Sequence, residues 1–167
     1  MSIRGESMKK LRLYLDTSVI SHLFAEDTPE KMNDTKLFWE KLKANKHEIF
    51  ISSTVIVELD KCSEPKRSWM HNKLNEINYT TIETSKEVKL LADEYIKAKV
   101  LTNKSHADCL HISSAVIKEC DLIISWNFKH LVNINTIENV KIVNSINSYK
   151  EISIITPNIF IGDEKDE

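Results

Sequence analysis

The segment Leu11-Arg12-Leu13-Tyr14-Leu15-Asp16-Thr17-Ser18 decides the fold. Its first five residues read as a β-strand that stops on an acid, followed at once by two small hydroxyl side chains. Working outward, helix-like and strand-like stretches alternate. Asp34–Asn45 places Leu37, Phe38 and Leu42 on one helical face. Ile49–Ser52 is a second strand, and Thr54–Lys61 a helix with Ser53 positioned to cap it. Pro65 suits the first turn of a helix that runs to about Ile77 with Trp69, Leu74 and Ile77 inward. Tyr79–Ile82 is a third strand. Thr84 and Glu87 match a capping box ahead of Val88, Leu91, Tyr95 and Ala98.

Ser105–Glu119 reads as the next helix, with Ala107, Leu110, Ser114 and Ile117 on one face. Leu122–Ser125 is a continuous apolar strand of the buried parallel kind. Asn133–Ser148 is rich in β-branched residues, yet Ile137, Val140, Val143 and Ile146 recur at helical intervals, so helix is the reading. Ile152–Ile155 closes the series as an edge strand stopped by Pro157. Such alternation implies an α/β protein with a parallel sheet covered on both faces. Ligand sites in these sheets lie beyond the carboxyl ends of the strands. Asp16 falls at the end of the first strand and Asn127 just past the fourth.

The chain has 167 residues, which predicts one domain. Its expected span is 10–157, with 1–9 an N-terminal extension (Met8 being an alternative start) and 158–167 an acidic tail. A hydrophobic fraction of 41% and a charged fraction of 29% fit a soluble globular protein. There is no apolar stretch long enough to span a bilayer, so no membrane partner is expected. The opening Met1–Glu6 lacks the apolar core of a secretion signal. Cys62, Cys109 and Cys120 form no CxxC spacing, which fits reduced thiols in a cytoplasmic protein and speaks against zinc. A net charge of −2 argues against wrapping long nucleic acid by charge alone.

Four positions carry candidate chemistry: Asp16, Glu58 after Val55-Ile56-Val57, Asp108 within Ala107-Asp108-Cys109-Leu110, and Asn127 after Ser125-Trp126. Each has a plainer use. Asp16 can cap a helix that begins near Ser18, Glu58 can be a solvated helix residue, and Ser105-x-x-Asp108 matches a capping box. Asn127 suits a turn. Jointly they suggest one shared cation, because carboxylates beside core-facing segments are costly unless something compensates them. Hard divalent ions prefer such oxygen ligands.

Four blocks carry a family resemblance: Leu15-Asp16-Thr17-Ser18-Val19-Ile20, Ser53-Thr54-Val55-Ile56-Val57-Glu58-Leu59, His106-Ala107-Asp108-Cys109-Leu110-His111-Ile112 and Ile124-Ser125-Trp126-Asn127-Phe128-Lys129-His130-Leu131. Together they resemble the PIN-domain proteins, of the kind that serve as VapC-like toxins in type II toxin–antitoxin pairs, from about Lys10 to Pro157. The resemblance implies a three-layer α/β/α sandwich around a central parallel sheet. It also implies an endoribonuclease that hydrolyses RNA phosphodiester bonds with Mg²⁺ or Mn²⁺. Asp16, Glu58 and Asp108 match the family's metal-binding acids, and Thr17 or Ser18 its supporting hydroxyl. Asn127 stands where many relatives carry Asp, so one negative charge is missing: a first metal is still implied, while one metal or two is left open. The implied partners are RNA, single-stranded or looped, a small antitoxin, and a second copy of the chain in a homodimer.

Lys129, His106 and His130 are candidate phosphate contacts, although surface or turn roles serve them equally. Trp126 and Phe128 can stack on bases or simply pack in the core, and His111 reads as a packed core histidine. Lys61, Lys66 and Arg67 read as a solvated helix face that could rim the site. Two competing functions remain. A phosphatase using Asp16 needs a second acid where Ser18 stands, while a non-catalytic PIN-like module would bind RNA or protein and cut nothing.

Overall fold

Strand β1 (Arg12–Leu15) is apolar toward both faces, and Leu13, Tyr14 and Leu15 are fully buried. The structure, a computed structural model, describes residues 9–102 and 105–165. β1 pairs in parallel with β2 (Glu48–Ser52) on one side and β4 (Leu122–Ile124) on the other, with Leu13 opposite Ile49 and Leu122. β3 (Thr80–Ile82) lies outside β2, and β5 (Ser153–Ile155) lies outside β4. The five strands run in the order β3-β2-β1-β4-β5. The chain therefore builds outward from β1 in one direction, then crosses and builds in the other. β1 and β4 flank that reversal, where doubly wound sheets open a crevice at their carboxyl ends.

The helices are α1 (Thr17–His22), α2 (Pro29–Lys43), α3 (Ser53–Asp60), α4 (Lys66–Leu74), α5 (Lys86–Lys97), α6 (His106–Ile117), α7 (Ile134–Ile146) and α8 (Pro157–Lys165). Right-handed crossovers put α1 to α4 on one face of the sheet and α5 to α7 on the other. The packing agrees: α1 touches α2 and α4, and α5 packs on α6 and α7, while α8 returns to lie against α2. This is the expected α/β/α sandwich around a parallel sheet. Among the described residues no helix is long and apolar enough to cross a membrane.

The elements follow the sequence reading, but several details differ. α2 starts earlier than expected, at Pro29, and turns Phe38, Trp39 and Leu42 inward while Leu37 is exposed. Ser53 does not cap α3; it is the first helical residue, and its Oγ meets Thr84 Oγ1 at 2.8 Å. Thr84 is thereby diverted from the expected capping box. Ser85 caps α5 instead, its side chain accepting from Val88 N. On that helix Ala92, not Ala98, joins the core. Trp69 is half exposed and stacks on Phe24, leaving Met70, Leu74 and Ile77 to face inward.

In α6 the buried residues run continuously from His111 to Val116, with Cys109 below them, whereas Ala107 is exposed. A helix flanked by the sheet and by α5 shows no single apolar stripe. α7 confirms the helical reading of its segment, although Ile146 is exposed. Pro157 does not end the packed body: it opens α8, whose Phe160 and Ile161 are buried, with the Phe160 ring 5.3 Å from that of Phe38. The proposed boundary at 157 therefore cuts through the core. The proposed extension at 1–9 lies outside the described residues except for its last position.

Candidate active site

Asp16 leaves β1 and caps α1 in extended conformation. It is only 3% exposed. Its Oδ1 accepts from the Ser18 backbone N–H at 2.7 Å and from the Ser18 hydroxyl, and its Oδ2 accepts from the Ser125 hydroxyl at 2.6 Å. Ser125 follows β4, the strand beside β1, so the parallel pairing itself delivers this donor. Ser18 Oγ in turn accepts from Trp126 N at 2.8 Å. The capping role weighed for Asp16 is thus real, and it coexists with a place at the crevice.

Glu58 lies on α3 and reaches toward the same end of the sheet. Its Oε1 accepts from Thr17 Oγ1 at 3.0 Å and contacts His111 Nε2 at 2.5 Å. His111 Nδ1 meets Tyr14 OH at 2.6 Å, and Tyr14 OH meets Ser52 Oγ at 2.7 Å. Burial works against ionisation of Glu58, but the hydrogen bond and charge of His111, with help from Thr17 and Lys61, outweigh it and hold the carboxyl below its usual value. Burial likewise disfavours the imidazolium of His111; the hydrogen bond to Glu58 and the charges of Asp16, Glu58 and Asp108 overcome it and raise the pKa. Each side chain therefore favours the charged form of the other, with the buried Tyr14 and Ser52 hydroxyls behind them. His111 is a core histidine, as expected, but one tied at both nitrogens.

Asp108 sits in the first turn of α6. Ser105 makes no side-chain cap there, so the capping-box explanation does not apply. Instead Asp108 Oδ1 accepts from Asn127 Nδ2 at 3.3 Å. Burial pushes the Asp108 carboxyl up; His111 and His130 pull it down, and Asp16 and Glu58 push it up again. The net direction is upward. Asn127 is held in place by its own backbone, its N–H donating to Ser125 Oγ at 2.9 Å and its Oδ1 accepting from His130 N at 3.0 Å. It is both a turn residue and a partner of the acid.

A continuous set of contacts thus joins the four positions: Glu58 to Thr17, the neighbour of Asp16; Asp16 to Ser125; Ser125 to Asn127; Asn127 to Asp108. His130 is half-buried beside Asp108, while His106 and Lys129 are exposed. Lys61 acts on Glu58 at a distance, but Lys66 is engaged with Ser21 Oγ at 2.9 Å and Arg67 with Glu64. Sequence reasoning missed Ser125, Tyr14 and Ser52 as parts of the site. Only the position of Ser125 at a strand end pointed to it.

Among the described residues no three His, Cys, Asp or Glu side chains close into a ready-made metal cage. A hard divalent ion that keeps its waters and takes one or two carboxylates needs none. The carboxylates of Asp16, Glu58 and Asp108 and the amide of Asn127 offer oxygen donors, and burial is the main cause that raises Asp108. The donor set fits Mg²⁺ or Mn²⁺ and not a thiolate-loving metal.

The fold defines a three-layer α/β/α protein, with Asp16, Asp108 and Asn127 near the carboxyl ends of β1 and β4. Among solved structures the chain is similar to a chain of VapBC2 from Rickettsia felis bound to a DNA fragment from their promoter. That likeness has a TM-score of 0.53 and 15% identity, covering 87% of this chain and 98% of the other. At such identity it speaks for the fold. No protein-family model matches the sequence, and no curated protein sequence matches it either.

Proposed function

We propose that this chain is a divalent-cation-dependent endoribonuclease and the toxin of a type II toxin–antitoxin pair. The observation that carries the reading is geometric: Asp16, Glu58, Asp108 and Asn127, far apart in sequence, are linked through Thr17 and Ser125 at the carboxyl end of the sheet. A shared cation would offset the cost of gathering these carboxylates beside the core. The fold likeness to a chain of a VapBC2 assembly supports the same direction.

In this reading Asp16, Glu58 and Asp108 hold Mg²⁺ or Mn²⁺, which supplies charge against a phosphodiester and lowers the pKa of water. The chain's other residues set the geometry. Ser18 and Ser125 fix both oxygens of Asp16, Thr17 and His111 fix one oxygen of Glu58, and Asn127 orients Asp108. His106, Lys129 and His130 flank the α6 and β4 sides and are proposed phosphate contacts. The partner is a small antitoxin that covers the acids with a basic side chain, and the chain acts in the cytoplasm as a homodimer.

Cleavage of total RNA in Mg²⁺ or Mn²⁺, compared with Asp16→Asn and Asp108→Asn, tests the proposal. Metal-dependent cleavage by the wild type alone is expected. Equal cleavage by all three proteins refutes it. One observation favours the second reading, a non-catalytic RNA- or protein-binding module: both oxygens of Asp16 are already engaged by the fold. RNA binding by the wild type without any cleavage, in the presence of either ion, establishes that reading instead.

A further inference from the structure

Immediately beyond Asn127 the chain presents a feature that the acidic site does not use. Trp126 and Phe128 flank Asn127, and the sequence allowed both to be core. They are not alike. Trp126 is 6% exposed and anchored, its Nε1 donating to the buried Thr35 Oγ1 at 2.8 Å. Phe128 is 49% exposed. Its ring centroid lies 6.2 Å from that of Trp126, and the Lys31 ammonium stands 4.9 Å from its centre and 5.7 Å from the Trp126 ring. The His22 ring backs Trp126 at 5.8 Å. Among the described residues Lys31 makes no ion pair with a carboxylate.

We infer that Phe128, with Lys31, is a stacking seat for one base of single-stranded RNA, next to the acidic crevice; the inference rests on the nuclease reading for its ligand. Three independent observations converge on it. An exposed aromatic ring offers a face that any base can stack on, and a neighbouring cation answers the backbone charge. The seat is rigid, because Trp126 is tied to α2 through Thr35 and to α1 through Ser18. Its position is adjacent to the candidate site, since Asn127, which lies between the two aromatics in sequence, donates to Asp108. An acidic site repels a polyanion, so a strand entering it needs an attractive contact close by, and Lys31 on Phe128 supplies one. Such a seat reads unpaired bases, whose faces are open, and not the buried faces of a duplex.

The test is a set of fluorescein-labelled single-stranded hexaribonucleotides, each with one abasic position, titrated by anisotropy in Ca²⁺. One abasic position is expected to weaken binding to the wild type by at least about fivefold. That penalty is expected to vanish in Phe128→Leu and to persist in Phe128→Tyr, with thermal melts showing that both variants fold. Lys31→Gln is expected to lower the salt slope of log affinity by about one. An undiminished abasic penalty in Phe128→Leu, or affinity equal to wild type, overturns the seat. The Mg²⁺-dependent cleavage comparison with Asp108→Asn is read separately, so the seat can fall while the nuclease reading stands. Absence of both binding and cleavage removes both.

Discussion

The β1–α1 corner and the first turn of α6 each contribute an acid to one crevice, and they treat it in opposite ways. Asp16 is met by three donors that the fold supplies for its own reasons: a helix N-terminus, the hydroxyl within it, and the hydroxyl of the neighbouring strand's end. Among the described residues Asp108 is met by a single amide at 3.3 Å; burial works against its charge, His111 and His130 work for it, and Asp16 and Glu58 work against it. One acid is part of how the chain folds. The other is a charge the fold tolerates. Locally unsatisfied groups of the second kind are where binding free energy has somewhere to go.

The largest effect should come from Asp16→Ala. It removes a helix cap and strands the Ser18 and Ser125 donors, so urea unfolding should show a loss of about 2–3 kcal/mol. Cleavage should disappear with it. Asp108→Asn should have the opposite sign on stability. It keeps an acceptor for Asn127 and removes a disfavoured charge, so the metal-free protein should melt higher than wild type at neutral pH while cleavage falls to background. Failure of the two variants to diverge in melting temperature would erase the contrast.

Mg²⁺ should sharpen it. At ten times its Kd the ion should stabilise the wild type by about 1.4 kcal/mol, and Asp108→Asn by less, in calorimetry. The smallest effect concerns Glu58 and His111 in metal-free buffer. Glu58, lowered from 4.5, stabilises above its unfolded value, and that contribution disappears as pH falls through the folded one. His111, raised from 6.5, stabilises below its unfolded value and loses that contribution as pH rises through the folded one. The pair should therefore add most between about pH 4.5 and 6.5, and His111→Gln should flatten the alkaline decline in melting temperature.

The parallel sheet, and the strand ends that carry the candidate site, were legible because β1 and β4 are largely apolar runs that end in polar residues. Asp16, Glu58, Asp108 and Asn127 were legible as positions. Their partners were not. Ser125, Ser52 and Tyr14 acquire roles only when β1, β2 and β4 lie side by side, and no spacing along the chain encodes that. Helix faces were misread where two layers compete. Leu37 and Ala107 fit a stripe drawn on one helix, but the sheet on one side and a neighbouring helix on another select Trp39 and Cys109 instead. Thr84 looked like a cap and became a tie between α3 and α5 because Ser53 stands beside it.

The return of α8 to α2 also bears on handling the protein. Phe160 wedges edge-on between Phe38 and His47, at the amino end of β2, on the pole away from the acids. A version trimmed at Pro157 would bare those rings to water and invite clumping. A dye or affinity handle fused after α8 would instead sit on that pole, away from the acidic residues.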